Sequence, residues 1–203
     1  MSRGPVIYNL FPKLAGAMKG WIAHIRRAKD MGFDTVYVNP FHYPGFSGSI
    51  YAPKDYYGYD PLLLGIDRRP GHEQLREVVH AARDLGMRFM MDLVINHTSI
   101  DCPLIEKHPT WFKRDKDGKV ENPTAKDPAD SRKVTTWGDL AEVDNASSPD
   151  KDALWDYWTR MVLFYQEMGI SDFRGDAAYK VPAELWAKII QAVRARDPQS
   201  RFF

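Results

Sequence analysis

Short apolar runs alternate along the chain with longer segments whose apolar residues recur at helical spacing. The runs are "VIYNLF" (6–11), "DTVYVNP" (34–40), "MRFMMDLVIN" (87–96) and the apolar positions of "ISDFRGDAAYKVP" (170–182). Residues at three- and four-residue spacing separate and follow them, in groups beginning at Met18, Leu75, Leu154 and Leu185. Runs of the first kind are typical of strands and groups of the second kind are typical of amphipathic helices.

The order of these elements predicts the fold class. Strands that alternate with helices form a parallel sheet, either doubly wound or closed into a (β/α) barrel. No glycine-rich nucleotide-binding loop follows a predicted strand, whereas polar residues such as Asn39 and Asn96 stand at strand C-terminal ends, where barrel enzymes carry their chemistry. We therefore predict an α/β fold of the TIM-type (β/α)8 barrel, comprising about the first four β/α units, with "RFF" (201–203) opening a fifth strand.

The regular alternation breaks between residues 97 and 149. This stretch is rich in Pro, Asp, Lys and Asn and contains only short apolar pieces. A structureless loop of that length is unusual in a compact domain, so we predict a small inserted subdomain after the third strand. The predicted division is a partial barrel over residues 1–96 and 150–203, and a subdomain over residues 97–149.

Composition narrows the classes of function. The 203 residues carry a net charge of +1, which argues against a protein that follows a nucleic-acid backbone. No stretch resembles a membrane span, and the N-terminus lacks a secretory signal, so we expect no membrane partner and a cytoplasmic location. Cys102 is the single cysteine, which excludes an internal disulfide. The histidines form no H-E-x-x-H or H-x-H pattern, which argues against a zinc hydrolase.

The first candidate chemistry lies on the fourth predicted strand. Asp172, Arg174 and Asp176 occupy alternate positions and therefore share one face of the strand. An arginine beside a carboxylate favours the ionised form, which suits a nucleophile. We assign this role to Asp176 with Arg174, while a structural ion pair at the strand end remains the alternative. Asp172 stands near the start of the strand and is interpreted as structural.

Two further segments carry candidate ligand contacts. In "DLVINHTS" (92–99), Asp92 lies within the third strand, and Asn96 and His97 follow it. Asp92 is placed to orient Arg174 from the neighbouring strand, and His97 to donate a hydrogen bond to a ligand hydroxyl. A capping asparagine and a loop histidine are the alternative. In "YAPKDYYGYDPLLLGID" (51–67), Tyr57 and Tyr59 flank a glycine and either stack on a ligand or pack in the core.

Taken in this order, the segments resemble the α-amylase family of glycoside hydrolases and transglycosylases over essentially the whole chain. "DLVINHTS" is similar to the family motif D-x-x-x-N-H, and "FRGDAA" (173–178) to F-R-x-D-A at the nucleophile strand. "YYGYDPLLLGID" resembles the Y-H-G-Y segment. The resemblance implies a retaining enzyme acting on α-glucans or malto-oligosaccharides, with a covalent glycosyl intermediate on Asp176. Arg174 would keep Asp176 ionised, and Asp92 would support Arg174.

The same resemblance implies the remaining site residues. His97 would hydrogen-bond the sugar in the cleaved subsite, and Tyr59 would stack on it. The family commonly has His where Tyr57 stands, facing the non-reducing sugar, and Lys-His where Tyr179 and Lys180 stand, on the acceptor side. Because of these departures, the substrate specificity and the choice between water and sugar as acceptor stay open. Asn96 stands where calcium-containing members have a ligand. No cofactor is otherwise expected, and calcium as a structural ion is left open.

The resemblance also implies a catalytic residue, the general acid, that is not among the 203 residues. The general acid of the family is a glutamate at the end of the fifth strand, which would follow Phe203. We therefore expect the 203-residue chain to be inactive by itself and to associate through an exposed sheet edge. The alternative is a non-catalytic carbohydrate-binding remnant of the same fold.

Overall fold

The structure, a computed structural model, describes residues 4–130 and 132–203. Its strands in chain order are β1 (Ile7–Leu10), β2 (Thr35–Val38), β3 (His42–Pro44), β4 (Pro53–Tyr59), β5 (Arg88–Leu93), β6 (His97–Ser99), β7 (Thr124–Lys126), β8 (Val134–Thr136), β9 (Leu140–Glu142), β10 (Asp172–Gly175) and β11 (Arg201–Phe202). Its α-helices are α1 (Pro12–Ala15), α2 (Met18–Asp30), α3 (Pro61–Leu64), α4 (Gly71–Asp84), α5 (Leu104–Lys107), α6 (Lys151–Glu167) and α7 (Ala183–Arg196). Short 3-10 turns cover Pro109–Trp111 and Ala178–Lys180.

One parallel sheet organises the molecule. Its order is β1-β2-β5-β10-β11, and every neighbouring pair is parallel. Long helices connect successive strands, as parallel pairing requires. The prediction of a partial (β/α) barrel with a fifth strand at its end is confirmed. β1 and β11 are the outer strands among the described residues, and association through such an edge remains a prediction.

The predicted helices form because each has one face that the sheet and its neighbours cover. Met18, Trp21, Ile25 and Ala28 of α2 are buried, and α4 buries a corresponding row beginning at Leu75. The helix predicted from the apolar group that starts at Leu154 begins at Lys151, because Asp150 still has non-helical backbone angles. The apolar core therefore lies between the sheet and these helices, with the sheet's strand ends left free for polar groups.

Smaller two-stranded pairs lie on the C-terminal side of the sheet. β3 and β4 pair antiparallel with register shifts, forming a ribbon that is not among the elements predicted from apolar periodicity. Within residues 97–149, β6 pairs antiparallel with β9, and β7 with β8. The first of these pairs brings the two ends of the segment together. The domain boundaries at residues 96 and 150 remain a prediction.

At the N-terminal side of the sheet, Asp172 forms a buried ion cluster. Its carboxylate accepts hydrogen bonds from Arg88, with Nη2 at 2.7 Å, and from Arg201, with Nη2 at 2.5 Å. A fully buried carboxylate needs such partners to offset its lost hydration. The interpretation of Asp172 as structural is confirmed. Within the described residues, no helix is long and apolar enough to cross a membrane.

Candidate active site

The C-terminal ends of β5 and β10 bring three predicted site residues together. Parallel register sets Arg174 beside Asp92, so the two side chains meet above the sheet. Nη1 of Arg174 lies 3.1 Å from both carboxylate oxygens of Asp92 and 2.8 Å from Oδ1 of Asp176. The backbone N–H of Asp176 donates to the carbonyl of Leu93 at 2.9 Å, which fixes the turn after β10. One guanidinium therefore joins two carboxylates.

Electrostatic interactions hold Arg174 between Asp92 and Asp176. Burial raises the pKa of the Asp92 carboxyl, and the hydrogen bond from Tyr37 and the charge of Arg174 oppose that rise without cancelling it. Burial alone would lower the pKa of the Arg174 guanidinium, but the charge of Asp92 outweighs it, and the net shift is upward. The arginine therefore stays charged and remains bound between the two acids.

Three polar residues that support Asp92 come from β2, from the position directly after it and from the turn before β4. Tyr37 donates its hydroxyl to Oδ2 of Asp92 at 2.5 Å, and Tyr51 donates to the same oxygen at 3.1 Å. Asn39 donates to the Tyr51 hydroxyl at 2.9 Å. The sequence analysis noted Asn39 but missed both tyrosines. Tyr37 was recoverable, because it lies two positions before Asn39 and so shares its face of the strand.

His97 lies in β6, buried beside this network. Its Nε2 is 2.8 Å from the carbonyl oxygen of Tyr51, and burial is the first cause that lowers the pKa of its imidazole. In the neutral ring, the nitrogen facing a carbonyl carries the proton, which leaves Nδ1 as an acceptor. The expectation that His97 donates to a ligand hydroxyl is corrected accordingly, because its donor is already bound to the backbone.

A cavity of about 440 Å³ opens above these residues. The following residues line it: Ser49, Tyr51, Asn96, His97, Pro123, Trp137, Asp139, Leu140, Asp176, Ala177, Tyr179 and Lys180. Four predicted site residues are therefore present in its wall: Asn96, His97, Asp176 and Lys180. The ammonium of Lys180 donates to the carbonyl of Thr124 at 2.7 Å, which ties the turn after β10 to the inserted segment.

The structure contradicts the predicted place of Tyr59 and does not bring Tyr57 to this cavity. Tyr59 is 7% exposed, and its ring is stacked on Phe41 at 6.1 Å in the core. The ring of Tyr57 lies 5.0 Å from that of Phe164 on α6. Both residues belong to β4, and neither lines this cavity. Tyr51 and Tyr179 are the tyrosines that line the cavity.

The surroundings of Asn96 test whether the site fits calcium. Its Oδ1 is buried and has no hydrogen-bond partner, as a free metal ligand would be. Calcium, however, takes about six to eight oxygen ligands, several of them carboxylates. Among residues 4–130 and 132–203, no group of three or more His, Cys, Asp or Glu side chains is placed to hold an ion. Backbone and amide carbonyl oxygens and waters also bind calcium, so a calcium ion at Asn96 stays a prediction.

Comparison with known sequences identifies the family. The family described as glycogen debranching enzyme, glucanotransferase domain, matches residues 4–112. The chain belongs to the α-amylase family. Among curated relatives of this family, the α-1,4-glucan:maltose-1-phosphate maltosyltransferase of Burkholderia pseudomallei is 30% identical over 96% of this chain and 18% of its own length. The corresponding protein of Myxococcus xanthus is 29% identical over 91% of this chain and 28% of its own length.

Solved structures of the α-amylase family agree with the fold. An α-amylase from Lactobacillus plantarum superposes with a TM-score of 0.81 and 30% identity, covering 98% of this chain and 44% of that one. A maltogenic α-amylase from Thermotoga neapolitana gives a TM-score of 0.76 with 29% identity, again covering 98% of this chain and 44% of that one. The chain thus spans less than half the length of the relatives it matches.

Proposed function

We propose that this chain supplies the nucleophile half of a retaining α-glucan transglycosylase site, with Asp176 as the nucleophile. The observation that carries the proposal is the Arg174 bridge, because it fixes Asp176 beside a buried anion at the floor of an open cavity. The family match and the relatives whose names specify glucan or maltosyl transfer support the substrate class. Trp137 and Tyr179, both exposed in the cavity wall, supply rings for sugar units.

The proposed reaction runs in two steps. A carboxylate oxygen of Asp176 attacks the anomeric carbon, and the new C–O bond forms as the bond to the leaving oxygen breaks. The leaving oxygen keeps the electron pair and takes a proton from a second carboxylic acid, which retaining enzymes hold about 5–5.5 Å from the nucleophile. A hydroxyl of the acceptor glucan then displaces Asp176 and gives its proton to the conjugate base of that acid.

Each described residue has one part in this proposal. Arg174 orients Asp176 through a hydrogen bond, while Asp92 holds the arginine from the opposite side. His97 accepts a hydrogen bond from a sugar hydroxyl through Nδ1. Lys180 and Tyr179 stand on the wall where an acceptor enters. The second carboxylic acid is not assigned to a described residue, so the test uses a donor that does not need it.

The test is covalent trapping with 5-fluoro-α-D-glucosyl fluoride. Fluoride leaves without protonation, so attack by Asp176 requires no general acid, and the ring fluorine slows breakdown of the ester. We expect mass spectrometry of a proteolytic digest to find one glycosyl adduct, on the peptide that contains Asp176. Asp176→Asn is expected to abolish labelling. Asp139→Asn, which changes the other carboxylate in the cavity wall, is expected to keep it.

Two outcomes would reject the proposal. An adduct on any residue other than Asp176 would assign the nucleophile elsewhere. Saturable binding of maltoheptaose without labelling, under conditions in which the folded chain is intact, would favour the alternative of a non-catalytic carbohydrate-binding protein.

A further inference from the structure

A second cavity, of about 500 Å³, lies between the β3–β4 ribbon, the stretch 103–107 and helix α6. Its wall includes Tyr43, Tyr57 and Tyr157, together with the charged residues Lys54, Asp55 and Lys107. Among the described residues, its lining and that of the active-site cavity have no member in common. Tyr57 belongs to the segment that resembles the Y-H-G-Y motif, yet it does not line the active-site cavity. It lines this second cavity instead.

Two aromatic side chains of this second cavity are exposed to solvent, and neighbouring rings hold that of Tyr57 in place. Tyr43 is 42% exposed and Tyr57 is 40% exposed. The ring of Tyr57 packs edge-to-face with Phe164 at 5.0 Å and with Tyr157 at 6.3 Å. A ring that is already held loses little conformational entropy when a ligand stacks on it. Exposed rings that pack in this way offer a prepared apolar platform with hydroxyl tips.

The charges around the second cavity balance. Lys54 is paired with Asp101, with Nζ and Oδ2 at 2.8 Å, so its charge is already matched. Lys107 and Asp55 have opposite signs, and Oδ1 of Asp55 accepts the backbone N–H of Tyr57 at 2.8 Å. A phosphate or an acidic ligand requires an excess of cations. A balanced wall of rings, hydrogen-bond donors and acceptors instead suits a neutral ligand with many hydroxyl groups.

We propose that the second cavity binds an α-glucan chain at a distance from the reacting bond. The ring platform and the balanced charges carry the assignment to a neutral sugar, and its identity as an α-glucan rests on the proposed function. Binding a long glucan at two places on one surface keeps its chain near the active site and raises its effective concentration there. The second cavity is then a holding site, with Tyr57 and Tyr43 as the stacking residues.

The test is a titration of the isotope-labelled chain with maltoheptaose, followed by amide nuclear magnetic resonance. The amides of Leu104 and Lys107 report on the second cavity, and those of Asn96 and Ala177 report on the active-site cavity. We expect both sets of signals to shift with saturation. Tyr57→Ala is expected to weaken the apparent affinity at the second cavity at least about fivefold and to leave that at the active-site cavity unchanged.

Controls keep this result interpretable. Circular dichroism and thermal unfolding show whether Tyr57→Ala alters the fold. If it does, Tyr43→Ala, at a more exposed ring, replaces it and is expected to weaken the apparent affinity at the second cavity in the same way. Tyr179→Ala removes an exposed tyrosine of the other cavity and is expected to leave the Leu104 and Lys107 response intact. Cellohexaose, which has the same hydroxyl groups on a flatter β-linked chain, is expected to shift the second cavity's signals at least about fivefold more weakly.

The outcomes separate this proposal from the proposed function. Shifts confined to Asn96 and Ala177, unchanged affinity in both tyrosine variants, or equal binding of cellohexaose would each overturn the second site. Failure to label Asp176 alongside a Tyr57-dependent response at Leu104 would reject the proposed function alone. Labelling of Asp176 without that response would reject the second site alone.

Discussion

Arg174 is held between two carboxylates that differ in their access to solvent. The side chain of Asp92 is 0% exposed and that of Asp176 is 19% exposed. The buried Asp92 binds the guanidinium of Arg174 through both carboxylate oxygens, which fixes the arginine. Asp176, which faces the cavity, accepts a single hydrogen bond from it. Removing one member of such a buried pair is costly, because it leaves an uncompensated charge.

A substitution at Tyr37 measures how much its hydrogen bond to Asp92 contributes to the free energy of unfolding. Tyr37→Phe removes the hydroxyl that donates to Asp92 at 2.5 Å and leaves the ring in place. Because hydrogen bonds to charged groups contribute about 1.5–3 kcal/mol, we expect the free energy of unfolding to fall by about 2 kcal/mol in urea titrations. Tyr179→Phe, at an exposed position, is expected to change it by less than about 0.5 kcal/mol. Equal stability of the Tyr37 variant and the parent would show that the bond contributes nothing.

The site residues divide into those that sequence can predict and those that it cannot. Alternation along one strand predicts that Arg174 and Asp176 share a face, and parallel register predicts that Asp92 joins them. The prediction for Tyr59 fails because a pattern of closely spaced tyrosines in β4 does not say which ring enters the core. Tyr51 follows an irregular turn, so no period along the chain indicated its contact with Asp92.

At the scale of elements, one amide side chain ties the inserted segment to the barrel. Nδ2 of Asn145 donates to the carbonyl of Ile95, just after β5, at 2.8 Å. Its Oδ1 accepts the indole N–H of Trp158 on α6 at 3.0 Å, and its own carbonyl accepts that of Trp155 at 2.9 Å. The end of the segment, strand β5 and helix α6 therefore meet at a single residue.

Replacing this amide should uncouple the three elements. Asn145→Ala leaves the carbonyl of Ile95 and the indole N–H of Trp158 without partners in a buried place. Each such group costs about 1–3 kcal/mol, so we expect the free energy of unfolding to fall by about 3 kcal/mol in urea titrations. Asn122→Ala, which breaks a half-buried bond to Leu140, is the matched control, with an expected loss of about 1 kcal/mol. Similar losses in the two variants would argue against a special role for Asn145.

The elements themselves differ in how far sequence predicts them. Strands β1, β2, β5 and β10 and helices α2, α4 and α7 follow from apolar periodicity, because the sheet buries one face of each helix and both faces of the strands. The β3–β4 ribbon and the β7–β8 pair have no such period. The ribbon is held by irregular antiparallel pairing and the β7–β8 pair by regular antiparallel pairing.

At the scale of the whole molecule, strand β10 carries two ion clusters that are separated along the strand. Asp172 is neutralised by Arg88 and Arg201 at the N-terminal side, and Arg174 is neutralised at the C-terminal side. The first cluster lies away from the candidate active site, and the second lies at its floor. This separation explains how one strand serves both stability and the proposed chemistry. Another titratable residue, His42, is buried in the core where the β3–β4 ribbon meets helix α6.

His42 gives the whole molecule a predicted dependence on pH. The imidazole is buried beside the hydroxyl of Tyr165 and the ring of Tyr56, and burial, opposed by the charge of Asp55, lowers its pKa from 6.5 to about 4. Between these two pH values the unfolded chain binds a proton that the folded chain does not. Stability therefore falls as the pH drops from 6.5 to about 4, by about 3 kcal/mol in total.

Urea unfolding at several pH values between 6.5 and about 4 measures this loss. His42→Gln, which cannot titrate, is expected to be less stable at neutral pH and to lose much less stability on acidification. A smaller slope of the same sign should remain, because burial also lowers the pKa of His97. A variant that keeps the full slope of the parent would show that the proton taken up on unfolding belongs to another group, since only the removal of His42 distinguishes the two chains.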